Sequence, residues 1–229
     1  MHTLLIRLAG PMQSWGTQSR FTERDTGLEP SKSGVVGLIC AALGRPRNES
    51  VNDLATLRMG VRVDREGVMR RDYHTALNVA KADGSRPGTV VSNRYYLADA
   101  DFLVGLEGSD IKCLEAIEQA LRSPVWPLSL GRKSFPPGRP VGLVEGGVRN
   151  DTALETALKQ EPWQPRSGET ARLGKQGQWR AVLEVPYGTT AERRNDQPID
   201  AAFATRQFLP RSVRTEFWTG IPKGEATHV

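Results

Sequence analysis

Cysteine and histidine are scarce in this sequence, whose 229 residues include two cysteines and three histidines. Cys40 and Cys113 lie far apart, and no CxxC, HExxH or Cys/His cluster occurs. The sequence therefore predicts no zinc site, no other metal and no cofactor. We expect both thiols to be small buried core residues of a reduced protein.

Long apolar runs are also missing. The short run Leu4 to Ile6 is interrupted by Arg7 and has no small-residue cleavage site after it, which predicts neither a signal peptide nor a membrane span. No GxxxxGK[ST] motif occurs, so nucleotide hydrolysis is not indicated. A hydrophobic content of 38% still suffices for one large core or two small ones. We expect a soluble globular protein of the cytoplasm.

Arginine, by contrast, is abundant. Lysine and arginine total 31 against 26 acidic residues, and 24 of these 31 cations are arginine. The planar guanidinium group suits bidentate contacts with phosphate. A net charge of +5 is by itself only a weak indication of a polyanionic partner.

The periodicity of apolar residues predicts an α+β chain. Strands are expected at 3–8, 59–64, 68–74, 90–97, 101–106 and 179–185, and helices at 33–43, 51–57, 109–122 and 152–160. Strands 59–64 and 68–74 are expected to pair as a hairpin with an arginine-rich face. Ser31 or Ser33 is the predicted N-cap of helix 33–43, and Gly44 is its predicted C-terminal end. Ser109 is the predicted N-cap of the amphipathic helix 109–122.

This order of elements is the ferredoxin-like βαββαβ pattern with insertions. Residues 1–150 are predicted to form that domain, with an excursion at about 75–89 that has no sustained period. Residues 151–229 are expected to form a smaller C-terminal extension that packs on the same core.

Five segments of the chain resemble a single family. They are LAGPMQSWG (8–16), PSKSGVVGLICAALG (30–44), RDYHTA (71–76), PLSLGRKSFPPGRP (127–140) and RQFLPRSV (206–213). The family is that of the CasD subunits of type I-E CRISPR Cascade complexes, and the resemblance spans residues 3 to 215. LAGPMQSWG and LGRKSFPP are its most specific pieces.

The resemblance implies a RAMP-type ferredoxin-like domain with a protruding thumb, corresponding to the excursion at 75–89. It also implies a non-catalytic scaffold in antiviral defence that binds the repeat-derived 5′ handle of the guide RNA. The implied partners are the CasC backbone, which the subunit caps, the large subunit CasA, the other Cascade subunits CasB and CasE, and target DNA indirectly.

Single-stranded RNA is held by phosphate contacts and by base stacking, so loops that mix cations with aromatic residues are candidates. The polar segment 10–33 has this character. Gln13 is expected to contact a base or sugar edge, with Arg20 nearby. Trp15 is expected either to stack on RNA or to plug the loop as an apolar anchor.

Two further segments are candidate phosphate sites. Lys32 and Ser33 precede an apolar helix, whose N-terminal amides attract anions, although Ser33 is equally well explained as a helix cap. Gly131, Arg132 and Lys133 form a basic glycine loop, with a solvated surface loop as the alternative.

The remaining candidates for RNA contact are Tyr73, His74, Lys81, Arg86, Arg139, Arg206 and Arg211. For Arg206 and Arg211, pairing with Asp196, Asp200 or Glu216 is an equal alternative.

An enzymatic alternative is a metal-independent endoribonuclease that processes precursor CRISPR RNA. In it, His74 beside Tyr73 would deprotonate a 2′-hydroxyl, and Lys81 or Arg71 would neutralise the developing phosphorane charge. The lack of a second histidine in mid-chain counts against this hypothesis. A third alternative is a structural adaptor that makes no RNA contact.

Overall fold

Two β-sheets with helices packed against the larger one make up the fold. The structure is a computed structural model and describes residues 1–19, 22–165 and 177–224. The strands are β1 (His2–Ala9), β2 (Met12–Gln13), β3 (Glu23–Arg24), β4 (Arg58–Arg65), β5 (Val68–Val79), β6 (Gly88–Ala98), β7 (Asp101–Gly108), β8 (Val148–Arg149), β9 (Trp179–Val185), β10 (Glu192–Pro198) and β11 (Phe208–Trp218). The helices are α1 (Lys32–Leu43), α2 (Asn52–Ala55), α3 (Ile111–Arg122), α4 (Leu154–Gln160) and α5 (Ala202–Thr205).

The larger sheet has the strand order β10-β11-β9-β4-β7-β1-β8, and all its neighbours are antiparallel. β1 pairs with β7 along its whole length, with Leu4 opposite Leu106. One face of this sheet packs against α1 and α3, where Ile6, Ile39, Phe102 and Leu114 share a core. This core accounts for the almost uniformly apolar sequence of α1.

The opposite face of the same sheet is also covered. Leu5 and Leu103 point away from α1 and pack in a second core with Leu158 of α4 and with Trp179 and Leu183 of β9. Because both faces are buried, β1 and β7 carry apolar residues at consecutive positions, whereas β4 alternates apolar residues with Gly60, Arg62 and Asp64.

The prediction that strands 59–64 and 68–74 pair with each other is wrong. β4 pairs with β7 and β9 in the larger sheet, whereas β5 pairs with β6 in a smaller one that also includes β2 and β3. The predicted turn does occur, with Gly67 at φ +73°, but it carries the chain from one sheet to the other. Arg62 and Asp64 of β4 are buried.

β5 and β6 form a long hairpin in which Thr75 lies opposite Val91. The predicted irregular excursion at 75–89 is therefore strand as far as Val79 and again from Gly88. Its register shifts between Ala76 and Val79, and its turn holds Gly84 at φ +71°. We call residues 68–98 the hairpin arm.

The C-terminal part of the chain extends the larger sheet. β9 has the bounds predicted from the sequence and pairs with β4, and β11 and β10 follow outward to the sheet edge. α4 and β9 pack against Leu5 of β1, on the face of the sheet opposite α1.

Helix ends follow side-chain chemistry. Ser31 caps α1, since its hydroxyl accepts a hydrogen bond from the Gly34 amide, so the alternative cap Ser33 is wrong. Gly44 ends α1 at φ +72° as predicted. α3 is capped by Asp110 rather than by Ser109.

Cys40 is buried and Cys113 is partly buried, and both are free thiols. Burial raises the pKa of Cys40 to about 11. Among the helices described, none combines the length and apolarity that crossing a bilayer requires. Residues 1–19, 22–165 and 177–224 contain no grouping of three or more His, Cys, Asp or Glu side chains suited to a metal ion.

Candidate nucleic-acid interface

A long groove of about 1300 Å³ runs along the exposed side of α1. Its floor is made by Ser33, Gly34, Gly37 and Ala41, which recur at the three- to four-residue spacing of one helix face. Its walls come from residues 14–19, 24–25, 126–133 and 203–208. We call this feature the basic groove.

The basic groove is strongly cationic. The described side chains that line it include six cations and one carboxylate, namely Arg24, Arg45, Arg47, Arg132, Lys133, Arg206 and Asp25. Asp25 accepts hydrogen bonds from the backbone amides of Thr17 and Gln18 and so orders the adjacent loop. Arg45 is held at the surface by both carboxylate oxygens of Asp53, at 2.7 and 2.6 Å.

The predicted glycine loop forms one wall. Gly131 has φ +90°, and a Cβ there would lie 1.7 Å from the carbonyl oxygen of Ser14, so only glycine fits. Arg132 donates from Nη2 to the carbonyls of Arg24 and Tyr95, at 3.2 and 2.9 Å. Burial and the nearby Arg94 lower the pKa of Arg132. Lys133 lies exposed beside it.

Gln13 and Trp15 stabilise the fold beneath the groove rather than presenting polar atoms to it. Gln13 is fully buried, and its Nε2 donates to the carbonyls of Leu8 and Ala100 at 3.0 and 2.8 Å. Its Oε1 accepts a hydrogen bond from Trp15 Nε1 at 3.1 Å. The expected contact of Gln13 with RNA is wrong for this structure, and the buried Trp15 ring corresponds to the anchoring alternative.

Trp15→Phe is expected to lower the free energy of unfolding by about 1–2 kcal/mol, because the smaller ring leaves a gap against Gly34 and the Gln13 oxygen loses its donor. RNA retention should not change. Urea unfolding and a filter-binding assay on the same preparation check both. Unchanged stability with weakened retention would instead make Trp15 a stacking residue.

Lys32 and Arg211 belong to a buried ionic network on the other side of α1. Lys32 donates from its backbone amide to Asp196 at 2.7 Å and from Nζ to Glu184 at 2.9 Å. Arg211 pairs with Asp196 at 2.7 Å. Burial lowers the pKa of Lys32, which Glu184 offsets in part. The first backbone amide of α1 is thus already hydrogen-bonded to a carboxylate of the protein. The prediction that Lys32 binds phosphate is therefore wrong for this structure.

Of the other predicted cations, Arg206 lines the groove, whereas Arg139 pairs with Asp101 and donates to Gln164 at 3.1 Å. Arg139 therefore serves the fold, and its contact with RNA stays a prediction. Arg20 lies outside the described residues.

The residues of the enzymatic alternative lie on the hairpin arm without converging. Tyr73 and His74 are consecutive in β5, so their side chains leave opposite faces of the strand. β5 continues from His74 to Val79, which is about 17 Å of strand, and Lys81 lies beyond that end. Lys81 and Arg86 are exposed near the tip.

Comparison with known proteins identifies the family. The sequence profile of the CRISPR-associated protein family Cas5 matches residues 3–214. The chain belongs to the Cas5 family. The resemblance drawn from the five sequence segments is thereby confirmed.

Three relatives of this Cas5-family chain are informative. The curated protein CRISPR system Cascade subunit CasD of Escherichia coli (strain K12) is 36% identical over an alignment of 175 positions, and the match covers 69% of this chain and 77% of that protein. A structure described as a crystal structure of a Cas protein is 43% identical, with a TM-score of 0.76 and coverage of 97% of this chain and 98% of that one. A chain of a CRISPR RNA-guided surveillance complex is 32% identical, with a TM-score of 0.78 and coverage of 94% and 89%.

Sequence reasoning missed several groove residues of this Cas5-family chain. They are Arg24, Arg45, Arg47, Trp126, Phe203 and Phe208. A signal for two of them exists, since Arg45 and Arg47 follow directly on the Gly44 stop of α1. Phe203 and Phe208 flank the predicted Arg206, but a partly buried aromatic residue has the same sequence signature as a core residue.

Proposed function

We propose that this chain is a non-catalytic RNA-binding subunit of a Cascade-type CRISPR surveillance complex, and that the basic groove holds the repeat-derived 5′ handle of the guide RNA. The observation that carries this proposal is the excess of six cations over one carboxylate along the groove. Such a surface attracts a polyanion, and guanidinium groups match phosphate geometry.

Family membership sets the biological context of the proposal. The relative CasD is a Cascade subunit, and another relative is a chain of an RNA-guided surveillance complex. By extension, the proposed partners of this chain are the CasC backbone, CasA, the other Cascade subunits and, through them, target DNA. The proposed place of action is the cytoplasm.

The fold supports a finer proposal about architecture. The elements β1, α1, β4, β7, α3 and β8 follow one another in this order apart from insertions, and both helices lie on one face of the sheet, which supports a ferredoxin-like RAMP domain. The hairpin arm would then be the thumb, which packs on the neighbouring CasC and brings Lys81 and Arg86 to RNA. Tyr73 and His74 would serve as contact residues on this arm.

A scaffold role agrees better with the geometry than RNA cleavage does. Tyr73 and His74 diverge on β5, and His74 has the carboxylate of Asp72 at 4.0 Å as its nearest charged neighbour. That carboxylate would oppose a second anion at the same place. In the proposed role, this chain binds RNA and a different subunit cleaves the precursor.

Purified protein incubated with labelled precursor repeat RNA in EDTA is expected to retain the RNA without cutting it. One native gel scores retention and one denaturing gel scores cleavage. Retention should fall steeply as salt rises, because counterions are released when phosphates are contacted.

A discrete cut that disappears in the His74→Ala variant would replace the scaffold with the endoribonuclease. If RNA is retained neither by the chain alone nor after addition of a CasC backbone subunit, the chain is an adaptor without RNA contact.

A further inference from the structure

Trp126 differs from the other tryptophans in its exposure. All five tryptophans lie in the described ranges, and the side chains of Trp15, Trp163, Trp179 and Trp218 are at most 8% exposed. Trp126 is 43% exposed and lines the basic groove. Because this exposed ring lies on the wall of a cationic groove, a ligand bound in the groove can cover its apolar face.

The backbone holds this ring in a defined place. The amide of Trp126 donates to the carbonyl of Ala41 at 3.1 Å, and the amide of Val125 donates to that of Ala42 at 3.0 Å. The segment is therefore pinned to the last turn of α1. These two backbone hydrogen bonds fix the position of Trp126 relative to α1.

Two further aromatic residues, Phe203 and Phe208, lie along the same groove. A Cβ on Gly37 would be 3.5 Å from Phe203 Cζ, which places Phe203 about one helical turn, or roughly 6 Å, before the anchor of Trp126. Phe208 packs edge-on against Phe203 with ring centroids 6.2 Å apart. We call Trp126, Phe203 and Phe208 the aromatic end of the groove.

Cations flank the aromatic end. Arg45 and Arg47 follow the end of α1 to which Trp126 is pinned, and Arg206 lies between Phe203 and Phe208 in the chain. Arg45 already pairs with Asp53, whereas Arg47 and Arg206 have no carboxylate partner among the described residues. An apolar peptide would leave these two guanidinium groups without a counter-charge. A single nucleic-acid strand supplies both a flat ring for the tryptophan and phosphates for the arginines.

We propose that Trp126 stacks on an unpaired base of single-stranded RNA at the aromatic end of the groove. This inference rests on the proposed function and adds to it a stacking subsite next to the phosphate contacts. Base stacking tolerates any base, so the subsite requires an unpaired nucleotide rather than a given sequence.

The test uses the tryptophan fluorescence of the purified full chain, titrated with a short RNA of the handle sequence. The control ligand is an abasic ribose-phosphate oligomer of equal length. The RNA should quench the emission of Trp126, and the abasic oligomer should not. Trp126→Ala should abolish the quenching and weaken RNA binding by about tenfold, while Trp126→Phe retains most of the affinity.

Phe217→Ala is the matched control, because Phe217 is an exposed aromatic residue outside the groove. It should alter neither quenching nor affinity. Salt-dependent RNA binding that leaves Trp126 emission unchanged, or that Trp126→Ala does not weaken, would overturn the stacking inference and leave the proposed function standing. Absence of binding by both oligomers would contradict the proposed function itself.

Discussion

Replacing Arg132 and Lys133 together with alanine is expected to weaken binding of handle RNA by about 100-fold at moderate salt. Two charge-assisted phosphate contacts are lost, each contributing about 1.5 kcal/mol or more. The slope of log affinity against log salt should become shallower by about 1.4, because two fewer counterion equivalents are released from a single strand. A salt series of filter-binding titrations measures both quantities.

The matched control is the double variant Lys112→Ala, Lys223→Ala, which removes the same charge from two exposed lysines outside the groove. Its affinity should stay within about threefold of the parent, since scattered charges act only through screened long-range attraction. Equal losses in both double variants would mean that net charge, rather than the groove, drives binding.

Arg132 also serves the fold, because it donates to the Arg24 and Tyr95 carbonyls and lies 5.5 Å over the Phe135 ring. Urea unfolding of the double variant therefore accompanies the binding assay. The single variant Lys133→Ala separates the two roles, since Lys133 is exposed and should lose affinity without losing stability.

Locally encoded elements could be predicted from the sequence. α1 and β9 were found close to their predicted bounds because an apolar run with a capping serine, or a short apolar strand, specifies its structure within a few residues. The partner of β4 could not be predicted in this way. A turn at Gly67 is compatible both with a hairpin and with a change of sheet, and the choice depends on distant strands.

The candidate site was predictable in composition but not in the direction of its side chains. Ser33, Gly131, Arg132, Lys133 and Arg206 line one groove as a set, although they are spread over most of the chain. Gln13, Lys32 and Arg211 have equally suitable chemistry but find partners inside the protein. The carbonyl of Ala100 and the carboxylate of Asp196, both remote in sequence, decide that outcome.

A second outcome decided by distant partners is the buried charge network along β4. Asp64 accepts hydrogen bonds from Arg62 Nε at 2.6 Å and from Arg7 Nη1 at 2.7 Å, and all three side chains are buried. Arg62 also donates to the carbonyls of Leu158 and Glu161 at the end of α4. One carboxylate thus joins two strands of the sheet and, through Arg62, the helix on its second face.

Asp64→Ala is expected to lower the free energy of unfolding by about 3–5 kcal/mol, because it leaves Arg62 and Arg7 charged and buried without their shared partner. Urea unfolding at neutral pH measures the loss. Asp53→Ala is the control, since it breaks a bidentate ion pair with Arg45 at the surface. This substitution should lower the free energy of unfolding by about 1 kcal/mol or less. Equal losses in the two variants would show that burial adds nothing to the network.

The pH dependence of stability gives an independent readout should Asp64→Ala fail to fold. Burial alone would raise the pKa of Asp64, but Arg62 and Arg7 outweigh burial and hold it below the usual range. Since the folded-state pKa is the lower one, the stabilisation is fully present above about pH 4 and is lost as pH falls through the folded value. Asp101 acts in the opposite direction, because burial raises its pKa despite Arg7 and Arg139. Asp64→Asn should therefore be less stable than the parent at neutral pH and should lose less stability on acidification. Urea unfolding of both proteins over a pH series measures this difference. If the free energy of unfolding falls equally with pH in both proteins, the assignment to Asp64 is contradicted.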